Sequence, residues 1–266
     1  MRLALELAAD EQSNDDRLIE QLESDARLAF GVLAGANLRL LGSSRPVKTV
    51  RQAVANLGRR KCLALLWIVA LSDFLQSWPH LAERARLKLW RHSLLTAVLA
   101  HELHSAAGVT GDALAAGMAH DIGHLLVSGP GARLGIVWHE EHELIVEKRD
   151  LSPAPERDHC RLGASLLAFW AAPPEMKACA LHHHEPRSAG AEHLALVAGV
   201  RLADLLAEHL DLDRPVRPLR LETAPAWQEL AAVEPWRNVP HLHLVALERL
   251  PEAVLAAEHL ASLLGT

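Results

Sequence analysis

The length, composition and charge of the chain exclude several classes of protein. The 266 residues are half hydrophobic and carry a net charge of −6 with histidines neutral, so a substantial core is possible, but there is no basic surface typical of nucleic-acid binding. No apolar run reaches the roughly 18–20 residues that a membrane span needs. The N-terminal segment becomes acidic too early to resemble a secretory signal. The three cysteines are unevenly spaced, which suits a protein of the reducing cytoplasm.

The spacing of apolar residues predicts helices throughout, and no segment shows a convincing strand alternation. In the N-terminal part the expected helices are 15–22, 25–41, 47–58 and 59–77. Asp15 or Asp16 is the expected N-cap of the first helix and Ser24 that of the second, and Gly58 is expected to end the third. These helices carry Leu, Val, Ala and Trp at core spacing, and nothing in them points to chemistry.

From residue 81 onward the predicted helices also carry histidines and acidic residues. Their expected ranges are 81–106, 112–127, 133–148, 156–171, 174–184, 191–210, 226–233 and 241–264. Proline is frequent between residues 211 and 240, so that segment is expected to be mostly irregular, and Pro251 is expected to break the last helix. We predict an all-α multi-helix bundle with an N-terminal helical lobe (1–80) and a histidine-bearing bundle (81–266).

Seven ionisable residues lie on helices that are otherwise apolar: His92, His120, Asp121, His159, His183, His184 and Asp204. Acidic groups are rarely buried without a partner, so this pattern needs an explanation. Imidazole and carboxylate ligands without thiolate suit Fe, Mn, Zn, Ni or Co, and the helices of a bundle can project such ligands toward one point. The sequence therefore predicts a site for one or two divalent metal ions, with Fe or Mn expected first and Zn, Ni or Co as alternatives.

Simpler interpretations stay open for these residues. A buried histidine and aspartate can satisfy each other without an ion, and the segment "HHHEP" (182–186) could be a solvated helix end. The pattern does not fix which two of its three histidines are ligands; we take His183 and His184 rather than His182. The other histidines, His104 among them, are expected at the surface or in the core.

Two neighbours of the predicted site are ambiguous. His124 lies one turn after Asp121 on the same helix face, where it could contact a phosphate or water, or support Asp121. Cys160 follows His159 and is either a small buried apolar residue or a redox-sensitive neighbour. The candidates for phosphate contact are Lys88, Arg91, Arg187 and Arg201.

Several segments carry a family resemblance through their order and spacing between residues 15 and 210. They are "DARLAFGVLAGANLRLLGSS", "VRQAVANLG", "LWRHS", "AGMAHDIGHLLV", "HCRLGASLLAFW", "HHHEP" and "VRLADLLA". Together they resemble the HDOD (HD-related output) domain of bacterial signalling proteins, within the HD superfamily of metal-dependent phosphohydrolases. The superfamily signature H…HD…D corresponds to His92, His120-Asp121 and Asp204, which implies metal ligation by these residues. The resemblance also implies that Asp121 takes part in activating a water molecule. His124 stands at a position where members of the superfamily often have a lysine. Asp121 and His124 are therefore the two candidate catalytic residues.

The extra histidines resemble those of a related group, the HD-GYP phosphodiesterases that hydrolyse cyclic di-GMP. His159, His183 and His184 correspond to them, but the Gly-Tyr-Pro segment is absent and the chain contains no tyrosine. The HDOD resemblance implies a signal-transduction protein that acts through a signalling protein partner or through sensing. The alternative is a metal-dependent phosphohydrolase acting on a phosphoester or nucleotide, and a di-iron oxygenase is a third class. Neither nucleic acid nor a membrane is expected as a partner, and the oligomeric state is left open.

Overall fold

The computed structural model describes residues 1–10, 12–38, 41, 46–77, 83–109, 111–127, 135–138, 144–147, 155–210, 221 and 225–264. The chain divides into two compact units, one formed by Met1–Ser77 with Pro251–Thr266 and the other by Trp78–Leu250. The C-terminal residues therefore belong with the N-terminal unit, whereas the sequence division grouped them with the bundle. No helix among the described residues has the length and apolarity needed to cross a bilayer.

The first unit is built from the helices α1 (Arg2–Ala9), α2 (Asp15–Glu23), α3 (Ala26–Ala36) and α4 (Val50–Ser77). Two caps differ from the prediction: Asn14 accepts a hydrogen bond from the Asp16 N–H, and Asp25 accepts from the N–H groups of Arg27 and Leu28. The first cap therefore lies one or two residues before the predicted Asp15 or Asp16, and the second lies one residue after the predicted Ser24. Helix α1 was not predicted, and Gly58, at φ 71°, interrupts α4 at the predicted place.

The second unit contains helices and one hairpin, in the following order along the chain: α5 (Glu83–Ala107), α6 (Ala113–Ala119), α7 (His124–Val127), β1 (Gly135–Trp138), β2 (Leu144–Glu147), α8 (Pro155–Phe169), α9 (Pro174–His182), α10 (Ala191–His209), α11 (Pro225–Ala231) and the start of α12 (Leu242–Leu264). Short 3-10 helices lie at Pro186–Ser188 and Trp236–Asn238. Apart from the hairpin, all regular secondary structure in the described part of the chain is helical, and the all-α prediction is confirmed.

Three local predictions for the chain beyond residue 81 are wrong. The predicted helix 133–148 contains an antiparallel hairpin in which Gly135 pairs with Glu147 and Trp138 with Leu144, since its β-branched and aromatic residues favour strands. Pro251 lies inside α12 without ending it. The predicted helix 112–127 is broken into α6 and α7 by a turn at residues 120–123. Residues 211–220, expected to be irregular, lie outside the described residues.

His104 shows how α5 packs in the core of the second unit. Its side chain is buried, and its Nδ1 lies 2.6 Å from the Ala100 carbonyl oxygen. Its ring meets that of Trp236 edge-on, with the centroids 4.8 Å apart. Gly199 on α10 makes room for both rings, because a Cβ there would collide with each of them. This histidine is therefore a core residue with no role in the site described below.

The burial of His104 predicts a loss of stability in acid. Burial lowers the pKa of this imidazole from 6.5 to about 4, so below pH 6.5 the unfolded chain binds a proton that the folded chain does not. The unfolding free energy should then fall by about 3 kcal/mol between pH 6.5 and pH 4. Urea unfolding of the wild type and His104→Leu over this range measures the difference. His259→Leu, at an exposed histidine, should keep the wild-type slope, and parallel curves for wild type and His104→Leu would contradict the prediction.

Candidate metal centre

The structure brings all seven predicted donors together within the second unit. Helix α5 carries His92, the turn between α6 and α7 carries His120 and Asp121, α8 carries His159, the end of α9 is followed by His183 and His184, and α10 carries Asp204. Four of these side chains are almost wholly buried: His120, His159, His183 and Asp204. The broken helix at residues 120–123 is therefore the part of the chain that places the His-Asp pair among four other helices.

Asp121 lies between two groups of histidines. Its Oδ2 is 3.6 Å from His92 Nε2 and 3.4 Å from His120 Nε2. Its Oδ1 is 3.4 Å from His159 Nε2 and 3.3 Å from His183 Nε2. Each carboxylate oxygen thus faces a different pair of imidazole nitrogens, an arrangement in which one carboxylate can serve two neighbouring cations.

The first donor group is completed by a second carboxylate. Asp204 Oδ1 is 3.1 Å from His92 Nε2 and 3.5 Å from His120 Nε2. We call His92, His120, Asp204 and the Oδ2 side of Asp121 the first subsite. Two imidazoles and two carboxylates form a mixed nitrogen and oxygen set, which suits a borderline or hard divalent ion.

The second donor group is richer in histidine. His159 Nε2 lies 3.3 Å from both His183 Nε2 and His184 Nε2. We call His159, His183, His184 and the Oδ1 side of Asp121 the second subsite. His182 belongs to none of the candidate ligand groups among the described residues, whereas His183 and His184 lie in one with His159 and Cys160.

Two of the imidazoles, those of His120 and His183, have one nitrogen toward a backbone carbonyl and the other toward the site. His120 Nδ1 lies 2.7 Å from the Gly117 carbonyl oxygen, and His183 Nδ1 lies 3.1 Å from that of Cys179. An Nδ1–H that donates to a carbonyl leaves the Nε2 lone pair available to a metal ion. His120 Nε2 is buried and, with carboxylate oxygens 3.4 and 3.5 Å away, makes no well-formed hydrogen bond within the described part of the chain. Such an orphaned nitrogen is costly unless a cation binds it, so these residues fit a metal centre.

Strong electrostatic coupling holds the site together. Burial raises the pKa of Asp121, but His120, His159 and His183 outweigh burial and hold that pKa well below its usual value. The same competition, with His120 and His92 as partners, keeps the pKa of Asp204 well below its usual value. Burial lowers the pKa of His120, yet Asp121 and Asp204 raise it well above normal. The carboxylates are therefore ionised at neutral pH, and cations compete with protons for the imidazoles.

Arg201 supports Asp204 from the side opposite the histidines. Its guanidinium donates to Asp204 Oδ2 and, at 3.1 Å, to Glu208 Oε1. Residues 201, 204 and 208 follow the i, i+3, i+7 spacing of one helix face, a signal that could have revealed this support from the sequence. Arg201, predicted as a phosphate contact, is thus engaged with carboxylates, and another candidate, Arg187, pairs with Glu229 at 3.4 Å on the surface.

His124 lies at the accessible edge of the site. Its ring stacks on that of His159 with the centroids 4.0 Å apart, and its Nε2 is 3.8 Å from Asp121 Oδ1. The side chain is 42% exposed, compared with 15% for Asp121. Burial lowers the pKa of His124, so the imidazole is neutral at pH 7 and can accept a proton there.

Cys160 lies beside the second subsite. Its Sγ is 3.5 Å from His159 Nε2, and the cysteine is buried and forms no disulfide. Burial, followed by the charge of Asp121, raises the pKa of the thiol to about 12. Without a cation the sulfur is therefore protonated at neutral pH.

Comparison with solved structures gives proteins of similar fold. The chain is similar to an HDOD domain protein of unknown function from Geobacter sulfurreducens, with 24% identity over 98% of this chain and 90% of that chain and a TM-score of 0.69. It is similar to a candidate metal-dependent phosphohydrolase from Shewanella amazonensis SB2B, with 16% identity over 96% and 89% of the two chains and a TM-score of 0.63. A candidate signal transduction protein from Marinobacter aquaeolei VT8 matches with 16% identity over 97% of this chain but 58% of its own length, at a TM-score of 0.59.

The sequence of the chain matches the model of one protein family. No curated protein matches the chain. The family model of the HDOD domain, however, matches residues 1–186. This range covers the first unit up to Ser77 and continues through the second unit to the histidines that follow α9. The chain belongs to the HDOD family.

Proposed function

We propose that this chain is a bacterial, cytoplasmic signal-transduction protein whose bundle holds a binuclear divalent metal centre. It acts through contacts with a signalling partner protein or through sensing, and the metal centre serves as its structural or sensing element. The observation that carries the proposal is the position of Asp121, whose two oxygens lie 3.3–3.6 Å from two separate pairs of histidine nitrogens.

Family membership and burial both support a signalling role. The HDOD model matches most of the chain, and the similar protein from Marinobacter aquaeolei VT8 is named as a candidate signal transduction protein. The side chains of His120 and His183 are 0% exposed and that of Asp204 is 3% exposed. Such enclosed ligands suit ions that stay in place and link several helices. Their nitrogen and oxygen atoms favour Fe or Mn, with Zn, Ni or Co as alternatives.

The second candidate function is phosphoester hydrolysis, and the accessible edge of the site favours it. When bound, divalent cations lower the pKa of a coordinated water and offset charge on a phosphoryl group. Asp121 would position both ions, and neutral His124 could accept or return a proton at the exposed side. The similar protein from Shewanella amazonensis SB2B is named as a candidate metal-dependent phosphohydrolase.

Metal analysis combined with a substrate panel tests the proposal. Protein purified without immobilised nickel is assayed for metal content, and then with Mn²⁺, Fe²⁺, Zn²⁺ and Co²⁺ against phosphomonoesters, phosphodiesters and nucleotides. Bound metal without turnover under any of these ions is the expected result. Turnover that disappears in a folded Asp121→Asn variant would establish the hydrolase instead, and an absorbance spectrum typical of oxo-bridged iron would point to oxygen chemistry. Protein that binds no divalent ion would contradict the metal centre itself.

A further inference from the structure

We propose that Cys160 is a ligand of the second subsite, so that this subsite takes a zinc-like ion while the first takes a harder one. The inference rests on the proposed metal centre and adds a thiolate to it. The candidate ligand group here consists of His159, Cys160, His183 and His184, whose donor atoms all lie within 4.8 Å of one another. No thiol lies among the donors of the first subsite.

The spacing of the donor atoms around His159 matches that of the ligands of a zinc-like ion, with Asp121 Oδ1, 3.4 Å from His159 Nε2, as a fifth donor. Zinc binds histidine nitrogen at about 2.0–2.1 Å and cysteine sulfur at about 2.3 Å, so tetrahedral angles separate two nitrogens by about 3.3 Å and a nitrogen from a sulfur by about 3.6 Å. His159 Nε2 lies 3.3 Å from the Nε2 atoms of His183 and His184 and 3.5 Å from Cys160 Sγ. The three distances from His159 Nε2 to the other donor atoms thus already match those between the ligand atoms of a tetrahedral zinc ion.

The chemistry of the donors then separates the two subsites. Three imidazoles, a thiolate and one oxygen of Asp121 form a softer set than the two imidazoles and two carboxylates of the first subsite, and softer ligands favour Zn²⁺ over Mn²⁺. As the sulfur binds the cation, the thiol proton leaves to solvent, so binding at the second subsite releases a proton. His124 is the competing ligand, because it forms a separate candidate group with Asp121 and His159. An ion held by His124 in place of Cys160 would have no sulfur ligand.

Cobalt spectroscopy tests this ligand without relying on activity. Metal-free wild type and Cys160→Ser are titrated with Co²⁺, and the near-ultraviolet sulfur-to-cobalt charge-transfer band is recorded. We expect the band in the wild type and its complete loss in Cys160→Ser. Competition with Zn²⁺ should show at least about a 10-fold weaker affinity at one of two sites in that variant, since even outer ligand partners are worth 10–100-fold. The control is Cys62→Ser, because Cys62 belongs to no candidate ligand group among the described residues.

A second variant protects the test against misfolding. The double variant Cys62→Ser/Cys179→Ser leaves Cys160 as the only cysteine, and it should keep the band. Binding of Co²⁺ to the wild type without a charge-transfer band, or loss of the band in the double variant, would overturn the inference and leave the metal centre standing. A wild type that binds no Co²⁺ would overturn the metal centre and this inference together.

Discussion

The variant Asp121→Asn should lose the ions of both subsites, with metal content falling from about two ions per chain to less than about one. The carboxylate contributes an oxygen to each subsite, at 3.4 Å from His120 Nε2 and 3.3 Å from His183 Nε2. The amide removes the negative charge and leaves only one oxygen. Loss of a direct ligand should weaken each subsite by at least about 10–100-fold, the range known for outer ligand partners.

Equilibrium dialysis followed by elemental analysis measures this loss. The matched control is Asp16→Asn, which makes the same change of charge at an exposed aspartate that pairs with Arg51 at 2.7 Å in the first unit. Circular dichroism establishes that both variants fold. If Asp121→Asn bound two ions with the affinity of the wild type, Asp121 would not be a shared ligand of the two subsites.

The variant Gly123→Ala should destabilise the second unit by about 3 kcal/mol or more and disable the second subsite. An alanine Cβ would collide with the His159 carbonyl oxygen and lie 2.6 Å from the Gly163 N. Both atoms belong to the backbone of α8 and cannot move without the helix. The turn must then shift away from α8, which separates Asp121 Oδ1 from His159 Nε2, now 3.4 Å apart.

Urea unfolding and metal titration together measure both effects. The first subsite should be less affected, because His92 and Asp204 lie on α5 and α10 rather than on α8. The control is Gly108→Ala, at φ 64° with no atom within 4 Å of the added Cβ; it should cost only the roughly 1–2 kcal/mol of left-handed backbone. Equal losses of unfolding free energy in the two variants, with unchanged metal binding, would show that the turn does not depend on the close approach of Gly123 to α8.

The sequence predicted most helices because their apolar spacing is local information. It failed where a contact distant in sequence decides the structure. Residues 117–127 read as one apolar helix, and the break at residues 120–123 depends on the close approach of Gly123 to α8, which no local pattern shows. The hairpin strands Gly135–Trp138 and Leu144–Glu147 are four residues each, too short for an apolar period to distinguish them from a helix.

The clustering of the seven side chains was predictable for a different physical reason. Buried aspartate and histidine need partners, so their presence on apolar helices marked the site before any fold was known. The resemblance then ordered them as His92, His120-Asp121 and Asp204. The sequence could not show which oxygen of Asp121 faces which histidines, since that depends on the turn. It also could not show that Arg201 is bonded to Asp204 rather than available to a phosphate.

The position of Asp121 between two metal ions can be tested by anomalous X-ray diffraction from crystals of the metal-loaded protein, purified without immobilised nickel. Data collected on both sides of the absorption edges locate and identify each ion. We expect two anomalous peaks about 3.5–4 Å apart, one on each side of the Asp121 carboxylate. Crystals without a peak among these seven side chains, with the histidines and aspartates hydrogen-bonded only to each other, would contradict this expectation.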